Sequence, residues 1–260
     1  MASVAGRIVS WAAAFEDGAI IRAAFFGLLS ATAVILYLDY TELSGQAPAA
    51  IAPELTPILP AFDPSGPPGE PSPPITTPME ALRQPLTIEL AGGGVLRVTG
   101  TIVPGSADRF AEEITAHGEY VRTVELNSPG GSVADALAMG QLIREGGFST
   151  SVAAGALCAS SCPLVFAGGR ERIATDGSAI AVHQIYAATP GETSLTSRLA
   201  AAGSAMSEAQ SMTAEISRYL LAMGIDVEVW LRALETPPDR LSYFSADELT
   251  RLKLATRLTT

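Results

Sequence analysis

The chain has 260 residues, enough for one sizeable domain with a true core plus extra segments. Its formal net charge of −11, with no lysine or arginine cluster, argues against nucleic acid, whose phosphates demand a basic face. Cys158 and Cys162 are its only cysteines, so a disulfide framework is excluded.

Residues 19–38, "AIIRAAFFGLLSATAVILYL", run without a charge after Arg22. With Arg22 snorkelling toward head groups, the segment reaches the ~20 residues that a membrane span needs. A signal peptide is the rival reading, since "SATA" resembles a cleavage region, but apolar residues continue through Leu38. An uncleaved anchor is the preferred expectation. Arg7 and Arg22 lie before the apolar run, and Asp39 and Glu42 follow it. The positive-inside rule then keeps residues 1–18 in the cytoplasm and places the C-terminal bulk outside it, on a single-pass protein of the cell (inner) membrane.

Residues 39–85 read as a linker. Positions 46 to 85 hold twelve of the eighteen prolines, which a helix or sheet ladder cannot accommodate. The folded domain is therefore expected over residues 86–260.

Within it, "LTIEL" and "VLRVTG" read as strands around the turn "AGGG". Residues 107–117 have helical spacing, and "VRTVELN" is a strand running into the turn "SPGG". Residues 132–145 place Val133, Leu137 and Ile143 on one helical face. "FSTSVAA" is a strand, a helix starts near residue 162, and "ERIAT" and "SAIAVHQ" are strands. Helices are expected over 195–223 and 226–235, and "SADEL" opens a last one with a serine cap and early acids. Alternating strands and helices imply an α/β domain with a mostly parallel sheet.

The segment "GALCASSCPLVFAGG" (155–169) places two serines between two cysteines. Pro163 suits the first turn of a helix, so one should start around Ser160 to Cys162. A serine there meets unpaired backbone N–H groups, which suit an attacking oxygen and the oxyanion it creates. Taken alone, the segment equally describes a small-residue packing turn. Two thiols with two histidines in the chain make a poor metal site, and no metal or cofactor is expected. In an oxidising compartment the cysteines suit a local disulfide.

The chain's histidines are His117, at the polar end of a helix, and His183, at the end of an apolar strand. His183 is the candidate general base; its structural alternative is a core-edge imidazole. Asp239, Asp176 and Glu192 are candidate orienting carboxylates, and each equally suits an exposed loop. In "NSPGG" (127–131), the glycines permit backbone angles that would turn an N–H toward a reacting carbonyl.

Taken in order, "NSPGG", an alanine-preceded serine at a helix start and "VHQ" resemble the proteolytic subunit of Clp protease and its crotonase-like relatives, over about residues 95–255. The resemblance implies a spiral of ββα units with a long handle helix after His183 that joins subunits into a homo-oligomer. It further implies Ser160 as nucleophile, His183 as base, Asp239 as third triad member, and the N–H groups of Gly131 and Ser161 as oxyanion hole. Here "CASSC" stands where the family shows "AASM", so Ser161 is the rival nucleophile, and the spacing after Asp239 also departs. Some membrane-bound relatives use a lysine base, but no lysine precedes Lys253 in this chain.

The expected function is a membrane-anchored serine peptidase acting on peptides or unfolded protein segments, with no ATPase partner implied outside the cytoplasm. The alternatives are a tethered, non-catalytic scaffold and a crotonase-like acyl-thioester enzyme.

Overall fold

In the computed structural model, residues 17–45, 73–184 and 195–260 are described. The chain divides into two compact units, residues 1–53 and 54–260.

The first unit contains helix α1 (Asp17–Gly45). Its window Ile21–Leu38 has a mean hydropathy of 1.9 and buries none of its surface, so this helix is long and apolar enough to cross a membrane. The Thr32 hydroxyl donates to the Leu28 carbonyl, which satisfies within the helix a polar group that lipid could not.

The second unit is a mixed α/β domain. Its elements, in chain order, are α2 (Met79–Leu82), β1 (Thr87–Ala91), β2 (Val95–Thr99), α3 (Ser106–His117), β3 (Thr123–Asn127), α4 (Val133–Gly146), β4 (Ser149–Val152) and β5 (Leu157–Ala159). These are followed by α5 (Cys162–Ala167), β6 (Arg172–Thr175), β7 (Ala179–Val182), α6 (Leu195–Ala222), α7 (Glu228–Glu235), β8 (Ser242–Tyr243), α8 (Ala246–Arg251) and β9 (Arg257–Thr259).

A larger sheet has the order β1-β2-β3-β4-β6-β9 and is parallel apart from the β1–β2 pair. A smaller sheet, β5-β7-β8, pairs β5 with β7 in parallel and β7 with β8 antiparallel. From β4 to β7 the chain alternates between them, and a single bridge, Ser128 to Cys158, joins the end of β3 to β5. Strands β5 and β7 are buried along their whole length, which is why "LCA" and "AIAV" lack polar alternation.

Capping follows from local chemistry. The Ser132 hydroxyl accepts from the Asp135 N–H at the start of α4, while Asp135 Oδ1 accepts from Ala107 N–H in the first turn of α3. Ser245 and Glu248 form a reciprocal capping box on α8. Tyr219 on α6 donates its hydroxyl to the Leu164 carbonyl and packs so closely on Gly140 that no side chain fits between them.

Residues ahead of 86 pack on the domain. Leu82 is fully buried, and the Thr101 hydroxyl donates to its carbonyl. Thr76 N–H donates to Gly155 O at 2.9 Å, and Ile75 and Met79 pack on a cluster that includes Leu157, Ala159, Ala181 and Leu241. Proline content marks residues that avoid ladders, but it does not stop interspersed apolar side chains from docking. The end of the linker is thus a strap on the smaller sheet.

Candidate active site

Three strand ends meet at one place, and the hydrogen bonds show how. Strand β3 ends at Asn127, whose side chain accepts from Leu157 N–H at 3.0 Å and donates to the Thr77 hydroxyl at 2.8 Å. The next residue, Ser128, donates to Leu157 O at 2.6 Å and accepts from Ala159 N–H at 3.0 Å. The "SPGG" turn is thereby pinned beside β5. Strand β5 pairs Ala159 with Ala181 on β7, and Ser160 N–H donates to Ala181 O at 3.1 Å. That register sets Ser160 opposite Val182, one residue short of His183.

Ser160 has φ 61°, a left-handed conformation that a side chain disfavours. One such residue turns the chain abruptly from β5 into α5, the kind of strained strand-to-helix turn that presents a serine hydroxyl. Ser160 is half-buried, whereas Ser161 is only 3% exposed and its hydroxyl oxygen has no hydrogen-bond partner among the described residues. The two serines of the motif are therefore physically unlike: one is half-buried on a strained turn, and the other is enclosed.

Gly130 and Gly131 form the floor. A Cβ on Gly130 would lie 2.7 Å from Ser160 Cβ and 2.8 Å from Ser161 N, so only glycine lets the two turns approach this closely. Gly131 has φ 142°, and a Cβ there would fall on the Ile102 carbonyl. Ile102 takes both its ladder bonds from the flanking residues, donating to Gly130 O and accepting from Ser132 N–H. The N–H groups of Gly131 and Ser161 consequently donate to no partner among the described residues. Helix α5 has only six residues, so these two N–H groups, rather than a helix dipole, are what the turn offers to an anion.

Cys158, on β5, and Cys162, the first residue of α5, are joined in a disulfide with a Cα–Cα distance of 5.1 Å. The sequence allowed this bond; the structure forms it across the Ser160 turn.

His183 is half-buried, and burial holds its imidazole below the usual histidine range, with a backbone hydrogen bond at Gln184 opposing in part. Among the described residues its buried Nδ1 has no hydrogen-bond partner. The backbone that follows is fixed, since Gln184 N–H donates to Thr236 O at 2.9 Å and its side-chain amide donates to Leu234 O at 2.6 Å. Among the described residues, no hydrogen bond joins the Ser160 hydroxyl to His183.

The structure brings together Ser160, Ser161, Gly131 and the end of β7 that carries His183. Asp239 is not brought to Nδ1: it is exposed in the turn between α7 and β8 and makes no hydrogen bond to His183. The "PP" at 237–238 turns this segment outward before β8 begins. Asp176 is likewise exposed, in the turn before β7, and Glu192 lies outside the described residues. His117 is a surface group 3.8 Å from Glu113. Asn127 and Gln184 lie within "NSPGG" and "VHQ", but spacing alone assigned them no role of their own; their part in building the site comes from the side-chain bonds above.

No protein-family description matches the sequence, and no curated protein matches it significantly. Among solved structures, a mutant of ClpP1 from Listeria monocytogenes is similar to this chain. The two are 16% identical; the match covers 64% of this chain and 90% of that one, with a TM-score of 0.47.

Proposed function

We propose that this chain is a membrane-anchored serine hydrolase with a Clp protease-like, crotonase-like catalytic domain, a peptidase acting on peptides or unfolded protein segments outside the cytoplasm. The observation that carries the reading is the Ser160 turn: a half-buried serine at φ 61°, one register step from the histidine-bearing strand end and beside two N–H groups that donate to no partner among the described residues.

In this mechanism Ser160 Oγ attacks the substrate carbonyl as His183 accepts its proton. Charge on the carbonyl oxygen is received by Gly131 and Ser161 N–H. His183 then protonates the leaving amine, and water, deprotonated by the same imidazole, releases the acyl group. A buried imidazole of lowered basicity is neutral at neutral pH, the state that a base requires. Closure of the Ser160–His183 hydrogen bond accompanies substrate binding or assembly into a homo-oligomer, as long hydrogen bonds in free sites often tighten on engagement.

A tethered scaffold is the second reading, favoured by the unpartnered Nδ1 and the open Ser160–His183 pair. The full chain in detergent micelles, treated with a fluorescent fluorophosphonate, separates the two. The expected result is one label per chain, lost in Ser160→Ala, retained in Ser161→Ala and slowed at least ~10³-fold in His183→Ala. Absence of label, or label lost only in Ser161→Ala, would overturn the assignment.

A further inference from the structure

We infer that Cys158 and Cys162 are positioning residues: their disulfide holds the Ser160 turn in its reactive shape, so that activity depends on oxidation of this pair. The inference rests on the serine hydrolase reading and adds a regulation to it.

The bond encloses the nucleophile candidate itself. An extended chain would separate residues 158 and 162 by about 13 Å, whereas their Cα atoms stand 5.1 Å apart. Between them, Ala159 is ordinary strand and Ser161 has φ −82°; only Ser160 adopts a left-handed conformation. The crosslink therefore tolerates the sharp turn at Ser160 and excludes its relaxation toward extended backbone. Removing it would free the turn to relax, swinging Oγ away from the end of β7 and moving Ser161 N–H relative to Gly131. Both cysteines are fully buried, on the two elements that the turn connects. Burying apolar volume there would not have needed sulfur, and these are the only cysteines in the chain.

Closure converts two thiols into one S–S bond. The two electrons and two protons pass to a disulfide-bearing oxidant, which leaves as a dithiol. A chain made in a thiol-reducing compartment is accordingly latent, and it gains activity where disulfide exchange is available.

The test uses the full chain in detergent micelles, reduced with a small dithiol and then reoxidised with a small-molecule disulfide. Alkylation and mass measurement count the free thiols. Fluorophosphonate labelling is followed against probe concentration, with circular dichroism alongside. The reduced form is expected to label about tenfold or more slowly at saturating probe, with similar half-saturation and unchanged dichroism, and oxidation restores the rate. Cys158→Ala/Cys162→Ala should resemble the reduced form and fail to respond to oxidant. An unchanged rate with two alkylated thiols overturns the inference alone, as does a rate that falls only in step with dichroism. If the oxidised chain takes no label at all, the hydrolase reading falls and this inference with it.

Discussion

At the scale of single residues, the site is defined by what cannot be added as much as by what is present. Gly130 faces the Ser160 turn with no room for a methyl group, and its φ of 94° is itself closed to most side chains. Gly130→Ala should therefore push the two turns apart, lower phosphonate labelling at least ~10²-fold and cost about 1–3 kcal/mol in denaturant unfolding. Labelling at the wild-type rate would mean that the two turns do not act as one site. His183 supplies a pH signature. Its folded-state pKa is depressed below 6.5, so the unfolded chain binds the proton more readily. Stability is at its full value above pH 6.5, where the imidazole is neutral in both states; as pH falls below that value stability is lost, down to the folded-state pKa. If His183 is the base, the acid limb of the labelling-rate profile has its midpoint below 6.5. A His183→Gln chain should show a shallower loss of melting temperature across the same interval, and a parallel loss in both chains would remove the histidine from the explanation.

At the scale of elements, the sheet is tied to the C-terminal helix by one buried cation. Arg172 on β6 is 4% exposed and donates to the carbonyls of Leu254, Lys253 and Gly169 at 2.8, 2.8 and 3.1 Å, gathering the end of α8 onto the larger sheet. Burial pulls its guanidinium down to about 10. Arg172→Met leaves those carbonyls without their donor and should cost about 3 kcal/mol or more, read as a shift in the urea midpoint; Arg172→Lys, with a single ammonium, should recover only part. None of this was visible in "ERIAT", because periodicity reports burial and says nothing about which distant carbonyls a buried arginine serves. The longer elements were legible for the opposite reason. Helices α3, α4, α6 and α7 carry their own spacing, and "SADEL" its own cap. Strand β5 has three residues and β8 two, too few for a period, and each exists only through its pairing with β7. The site shows the same division. Ser160 and Ser161 stood out at a helix start, Gly131 in a turn and His183 at a strand end, whereas the left-handed turn, the enclosed Ser161 hydroxyl and the exposed position of Asp239 arise only from tertiary packing.

At the scale of the whole chain, the segment ahead of β1 is part of the second unit's core. Residues 75–82 are covalently continuous with the proline-rich segment, yet they belong to the domain's core. Thr76 is bonded to Gly155, Thr77 to Asn127, and Leu82 is enclosed beside Leu157, Ala159 and Ala181. Those contacts fall on Gly155 just before β5, on β5 and β7 themselves and on the residue that introduces "SPGG", so the strap braces the strands that lead to Ser160 and His183. Burying Leu82 alone contributes about 2–3 kcal/mol, and the bonds from Thr76, Thr77 and Thr101 add about 1 kcal/mol each. Against the 5–15 kcal/mol typical of a domain, this is a large share. A chain beginning at residue 86 should therefore unfold at a markedly lower urea concentration than one beginning at residue 73. Leu82→Ala in the full chain should lower the midpoint in the same direction by a smaller amount, with a residual cavity adding to the lost burial. Equal midpoints for the two truncated chains would show that the strap merely rests on the smaller sheet, and the domain boundary would stand at Leu86.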